Sequence, residues 1–400
     1  MTLQHESDLL DADYRRRVGA TLQDALARGA TTLTSICRQS RGAFPPIIGE
    51  LLVEILHGKT LPHRSWRDEE PGMFDSALPA MPEPHPIDYE WRYTAKTADS
   101  LAEYLVKSAL RIGCFGTPTV FWRLRHMNAD AFLMDRNRGL VGSLEPANRT
   151  RLVFTDFLDE VGNWENPNSI PTQFDVVLLD PPWYLDHTMT WIARALRFLK
   201  PGGEIVLTIF PELVRPSAST EREELMGTLE KLGVVRPLPF DALYTTPLFE
   251  HETLGAFGLS DLGQWRSANL VSVTISDPEI ALEHRPPFEA KWQRVQLGSQ
   301  VVAVRESSAR GEAATTPLKL TTPGVDGSFL LKSVSARDPI RQNITVWTSR
   351  NRAAIAVQGS AQIFPFLQAL AAGHPANGLL ASALASSRDE LRVLLSLVGW

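Results

Sequence analysis

Asp180-Pro181-Pro182-Trp183 is the tetrapeptide with the clearest chemistry in the chain. It follows VVLL, a continuously apolar run, and a carboxylate at the end of a buried strand is costly unless it is used. Pro181 and Pro182 remove two backbone donors and leave carbonyl acceptors. The Asp180 carboxylate and the Pro181 carbonyl can each accept a hydrogen bond from a planar amine, holding its lone pair in line with a methyl donor. Trp183 offers a flat face to a base or a cation. The bland alternative is a rigid strand-to-helix turn with no chemistry.

Three other strand ends carry candidates. The run RIGCFG ends in Gly113, Cys114, Phe115 and Gly116, followed by Thr117; AFLMD ends in Asp135; RLVFTD ends in Asp156, followed by Phe157. Ligands of open parallel sheets bind at the carboxyl ends of strands. There Asp135 can accept both hydroxyls of a ribose. Asp156 can accept from an adenine's exocyclic amine, with Phe157 beside the ring. Gly113 and Gly116 allow close backbone approach. Each aspartate alone is more often a turn or cap residue; their joint placement argues for a site. The first loop lacks G-x-G-x-x-G, which argues against a nicotinamide enzyme. Cys114 reads as a small buried residue. Tyr184, Phe210, Glu250 and His251 are candidate substrate contacts. Glu250 and His251 fall in the loop expected between the last two core strands. A metal there would need a further ligand and a rigid scaffold, so none is expected. The run YRRR at Tyr14–Arg17 reads as a solvated helix face rather than a phosphate contact.

These residues need a frame that brings strand ends together. The order of elements from about Trp91 to Ser276 supplies one: strands alternate with amphipathic helices such as AEYLVKSAL and HTMTWIARALRFLK. That alternation predicts an α/β fold, a mostly parallel sheet with helices on both faces. Ser100 and Glu103 fit a capping box that would start the first of these helices. VVRPLPFDALY and ANLVSVTIS read as two closing strands. We therefore expect a helical N-terminal segment at 1–68, a proline-rich linker at 69–90, the sheet domain at 91–276, and a small α+β module at 277–400. That module, with a winged-helix-like plan as one expectation, has a hairpin around Arg350–Arg352 followed by two helices.

Composition sets the outer bounds. The chain has 400 residues, 44% of them hydrophobic, with a net charge of −6, so it is globular and its charge gives no support for nucleic-acid binding. No apolar run reaches the ~18 residues of a membrane span. The N-terminus does not read as a secretory signal. Two cysteines make neither a disulfide framework nor a cysteine-rich zinc site, so a cytoplasmic setting is expected. Charge is uneven: residues 279–400 hold 13 Lys+Arg against 9 Asp+Glu. That surplus suggests a docking module for an acidic partner, nucleic-acid backbone or another protein subunit.

From Tyr89 to Thr208 the chain resembles a known family. The matching text is YEWRYTAKTADSLAEYL, IGCFGTPTVFWRL, FLMDRN, VFTDF, FDVVLLDPPW and LKPGGEIVLT. It is similar to the class I S-adenosylmethionine-dependent methyltransferases that modify amines through D/N-P-P-Y/F/W. More narrowly, it resembles the probable N6-adenine methyltransferase family, whose eukaryotic members methylate a lysine of a translation elongation factor. Its tryptophan is similar to that of the MT-A70 adenine methyltransferases. The resemblance implies a Rossmann-like class I sheet and S-adenosylmethionine as cofactor. It places the donor on Gly113–Thr117, Asp135 and Asp156, and the target amine at Asp180, Pro181, Pro182 and Trp183. It leaves both terminal segments unexplained.

Three functions stay open at this level. The first is methylation of adenine N6 in nucleic acid, with the base flipped out onto Trp183 and Arg337, Arg341, Arg350 and Arg352 holding backbone. The second is methylation of a protein lysine, which must lose its proton first. The third is a binding or scaffold protein that has lost turnover. The wide ring of Trp183 ranks adenine ahead of lysine.

Overall fold

The computed structural model describes residues 3–56, 81–143, 150–159, 170, 173–259, 262–276, 282, 286–306, 316–324, 327–335 and 337–400. Most of the expected linker lies outside them. The chain forms two compact units, residues 1–80, 91–246 and 261–287 in one, and 81–90, 247–260 and 288–400 in the other.

The first unit opens with three helices, α1 (Leu3–Ala27), α2 (Leu33–Gln39) and α3 (Pro45–Ile55). Tyr14, Val18, Leu22 and Ala25 bury one stripe of α1, the three- and four-residue spacing of an amphipathic helix. Thr32 caps α2 by accepting from the Ser35 amide at 3.2 Å. Proline at the first position starts α3, where its missing N–H has no role. These helices belong to the same compact unit as the sheet.

The sheet is built from β1 (Arg92–Tyr93), β2 (Arg111–Phe115), β3 (Asp130–Asp135), β4 (Leu152–Phe154), β5 (Phe174–Leu179), β6 (Leu199–Ile209), β7 (Gly233–Pro237), β8 (Ala242–Thr245) and β9 (Ser267–Ile275). Its order is β1-β8-β9-β6-β5-β2-β3-β4, with β7 also on β9. The run from β6 to β4 is parallel, while β9 joins it antiparallel. Between strands lie α4 (Ala95–Ser108), α5 (Pro118–His126), α6 (Leu185–Leu196) and α7 (Ala218–Leu232). Val176 to Leu179 of β5 are all buried, as a strand covered on both faces requires. Its neighbours are β2 and β6, so the ends of β2, β3, β4 and β5 share one edge.

Two local expectations differ from the structure. Ser100 and Glu103 lie inside α4, because Thr94 caps the helix earlier by accepting from the Thr97 amide. VVRPLPFDALY is two strands rather than one, β7 and β8: Pro237 is the last residue of the first, and Pro239 lies in the break between them.

The second unit carries α8 (Leu248–Gly255) and an antiparallel sheet of β10 (Trp292–Leu297), β11 (Gln300–Arg305), β12 (Lys319–Thr321), β13 (Val346–Thr348) and β14 (Ala353–Gln358), in the order β10-β11-β13-β14-β12. Helices α9 (Ile363–Ala371), α10 (Ala376–Ser382) and α11 (Arg388–Leu397) follow. Val302, Val304 and Val346 point into a core shared with Leu367 and Leu394, while Ala303 and Trp347 point to the other face with Ile87 and Ile344. That is the period-2 alternation of a sheet covered on both sides. The hairpin expected around Arg350–Arg352 is present, within a wider sheet. Among the described residues no helix is long and apolar enough to cross a membrane.

Candidate active site

β5 delivers Asp180 one residue past its end, and Pro181 stops the strand there. From β8, Tyr244 donates its hydroxyl to Asp180 Oδ1 at 2.8 Å. Tyr93 pairs with Tyr244 across β1 and β8, their ring centres 5.0 Å apart. The hydroxyls of Tyr93 and Thr208, the latter on β6, are 2.6 Å apart. Asp180 keeps part of its surface open, yet it is crowded deeply enough that burial pushes its carboxyl up to about 7, against the lowering pull of Tyr244, Thr208, Arg266 and Tyr93. Burial, then the nearby Asp180 charge, holds the Tyr93 and Tyr244 hydroxyls well above their ordinary value. Both therefore stay protonated donors.

An aromatic wall encloses this carboxyl. Trp91 and Tyr93 fall on the same side of the chain, two residues apart. The Arg266 guanidinium lies between two indoles, 3.7 Å from the Trp183 centre and 4.2 Å from that of Trp91. Trp183 meets Tyr244 edge-on at 5.7 Å and is 7% exposed. Its ring thus gives a face to a cation, Arg266, one of the two partners the sequence offered for it. Arg215 donates to the Trp183 carbonyl, pairs with Glu221, and lies 4.9 Å from the Tyr184 and Phe210 ring centres. Phe210 is buried and Tyr184 half-buried.

The loop after β6 that carries Arg215 is held by the N-terminal helices. The Leu213 amide donates to the Arg41 carbonyl at 2.9 Å, and Tyr14 donates to the Leu213 carbonyl at 2.7 Å. Arg17 donates to Ser219 and to the Pro216 carbonyl. The YRRR run is therefore a clamp at Tyr14 and Arg17, not a wholly solvated face.

At the other strand ends the expected residues assemble in part. Asp135 and Asp156 end up on neighbouring strands, both half-buried. Asp135 accepts from the Asn137 amide at 2.8 Å. Asp156 accepts from the Leu158 amide and pairs with Arg136 at 3.1 Å. Gly116 adopts φ +66, and a Cβ there would stand 2.6 Å from the Trp191 ring, so both conformation and space require glycine. Gly113 has a packing reason instead: a Cβ would come within 3.2 Å of Phe174. Phe115 and Cys114 are core residues, and burial pushes the Cys114 thiol up to about 12. Thr117 is buried ahead of α5. Phe157 packs between Phe115, 4.9 Å away, and Trp191, 4.3 Å away. It is 3% exposed, so it has no open ring face for an adenine. The carboxylates fit a nucleoside's hydroxyls and amine; the phenyl ring is core.

Glu250 and His251 do not join this group. They sit on the helix α8 of the other unit, where Glu250 is 3% exposed. The sequence places them in the loop between the last two core strands, whereas Leu248–Gly255 is helical. Residues that sequence reasoning missed are Tyr93, Thr208, Tyr244, Arg215 and Arg266. The aromatic-rich runs YEWRY and QWR were the available signal.

The arginines expected to hold nucleic acid are largely engaged within their own unit. Arg341 lies 4.6 Å from the Tyr89 ring centre and 4.9 Å from that of Trp347. Arg350 pairs with Glu83 at 3.3 Å and Arg352 with Glu252 at 3.7 Å. Arg337 is exposed. The positive surplus counted along the sequence is thus partly neutralised in place.

Residues 90–235 match the family model described as Probable N6-adenine methyltransferase. The chain is similar to EEF1A lysine methyltransferase 1 of Danio rerio, with 26% identity over 125 residues, 29% of this chain and 71% of that protein. Its fold is similar to that of a branched-chain polyamine synthase mutein from Thermus thermophilus in complex with N4-aminopropylspermidine and 5'-methylthioadenosine. That likeness has a TM-score of 0.50 at 14% identity, over 70% of this chain and 95% of the other. Over residues 90–235 the chain is therefore similar to the probable N6-adenine methyltransferase family, and the match supports an S-adenosylmethionine-dependent methyltransferase.

Proposed function

We propose that this protein transfers a methyl group to a lysine amine of a protein. The observation that carries the reading is Asp180, a carboxyl pushed up to about 7 among three hydroxyl groups. A lysine must shed a proton before it can attack, and a buried carboxylate titrating near neutrality is poised to take it. An adenine amine carries no such proton and asks instead for a stacking face, which Trp183 gives to Arg266. The name of the zebrafish relative, a lysine methyltransferase, agrees with this reading.

Asp135 and Asp156 would hold the donor's ribose and adenine, with Gly116 and Thr117 lining the turn beneath it. When bound, S-adenosylmethionine supplies an electrophilic methyl carbon: the amine lone pair forms the N–C bond as the C–S bond breaks, leaving a thioether. Asp180 accepts the ammonium proton as lysine enters. Tyr244 fixes one carboxyl oxygen, and the amine would reach the carboxyl from its open side. The Pro181 carbonyl accepts from a remaining amine hydrogen and turns the lone pair toward the donor. Once that proton has passed on to water, the Asp180 carboxylate stabilises the positive charge that moves onto nitrogen more than it stabilises the neutral amine.

The test is a transfer assay with donor labelled in the methyl group, offered in parallel lysine-bearing cell-extract protein, DNA and RNA. Label recovered on lysine supports the proposal. Label confined to adenine would transfer the reading to the base, and no label on any acceptor would favour a scaffold role.

A further inference from the structure

Arg266 occupies a setting that proteins ordinarily build for a ligand's cation. Trp183 and Trp91 sandwich its guanidinium at 3.7 and 4.2 Å. Tyr244 closes the box edge-on to both indoles, at 5.7 and 6.5 Å, and Tyr244 also holds Asp180. Indole faces attract a cation most strongly when water is excluded, and Trp183 and Trp91 are both buried. Two of the box's members are thus the tetrapeptide tryptophan and the tyrosine bonded to the tetrapeptide aspartate.

We infer that Arg266 is a specificity-determining residue of the acceptor site: a built-in cation that fills the aromatic box, so that the acceptor is held beside Asp180 as a neutral amine once it has given up its proton. This rests on the amine-methyltransferase reading. An ammonium or a methylated ammonium would meet a permanent positive charge where the rings would otherwise bind it. The same charge favours the ionised form of Asp180, which keeps the proton acceptor ready. Around that carboxyl the other groups are the hydroxyls of Tyr93 from β1, Thr208 from β6 and Tyr244 from β8.

Calorimetry of the full chain with tetramethylammonium as probe tests this without any turnover. Arg266→Ala empties the box and should bind the probe at least about tenfold more tightly than wild type, as a desolvated cation–π site would. Arg266→Lys keeps a cation in place and should behave like wild type. Equal binding by wild type and Arg266→Ala would overturn the inference. Should Arg266→Ala fail to fold, Arg266→Gln reads the same charge through pH. Loss of the cation raises the pKa of Asp180 and of the acceptor amine together, so the rising limb of kcat/KM should move up by ~0.5–1 unit; an unmoved limb would overturn the inference. Absence of lysine methylation with the probe contrast intact would count against the proposed function alone.

Discussion

Two parts of this chain set arginine against aromatic rings, and they end in opposite electrostatic states. In the C-terminal unit, Arg341 lies over Tyr89 and Trp347, Arg350 meets Glu83, and His85 bridges the Trp347 carbonyl and the Ile87 amide. Charges there meet partners, and the carboxyl of Glu83 is held below its ordinary value by Ser349, Ser299 and Arg350, which outweigh the opposing effect of burial. Around Asp180 the same residue types leave a carboxyl pushed up to about 7. Folding does not demand such a group, and a raised acid in a partly open cleft marks a candidate for chemistry. The lesson is that composition alone cannot separate a stabilising aromatic–arginine cluster from a reactive one; the balance of the carboxyl's partners does.

The comparison can be broken first on the structural side. Trp347 is 1% exposed and donates its ring N–H to Asn351 at 2.9 Å. Trp347→Ala should cost ~3–5 kcal/mol of stability, read by denaturant unfolding, and should spare donor binding if its cluster is purely structural. On the other side, Asp135→Ala should weaken S-adenosylmethionine binding about tenfold or more by calorimetry, because a charged acceptor is lost. Tyr244→Phe should slow transfer by several-fold. It should also move the rising limb of the rate to higher pH, since the hydrogen bond that lowers the Asp180 pKa is gone. The smallest effect belongs to Arg352→Gln, whose pair with Glu252 is partly exposed: under ~1 kcal/mol by thermal unfolding, with transfer unchanged.

Legibility in the sequence followed distance along the chain. The tetrapeptide and the strand-end aspartates were readable because each is set by its own strand and the turn after it. The ring around Asp180 was not, because β1, β6, β8 and the segment before β9 contribute one member each, and Tyr244 lies 64 residues from Asp180. Trp183 offers its face to a base or a cation in the sequence, and only the fold shows Arg266 taking it, since nothing local places Arg266 there. The same limit applies to Glu250 and His251: their chemistry was visible, but α8 places them in the other unit. Asp156 and Phe157 divide instructively, the carboxylate staying half-open while its neighbour turns into the core.

The most direct measurement is the pH dependence of labelled methyl transfer to protein lysine by wild type and Asp180→Asn, with donor affinity measured alongside. The folded carboxyl sits near 7, so its base form grows in as pH rises through that value. Wild-type kcat/KM should therefore climb across neutrality. Asp180→Asn should transfer about a hundredfold more slowly or worse, lack that limb, and bind S-adenosylmethionine as wild type does. A variant that keeps both the rate and the limb would contradict the assignment of Asp180 as the group that accepts the amine.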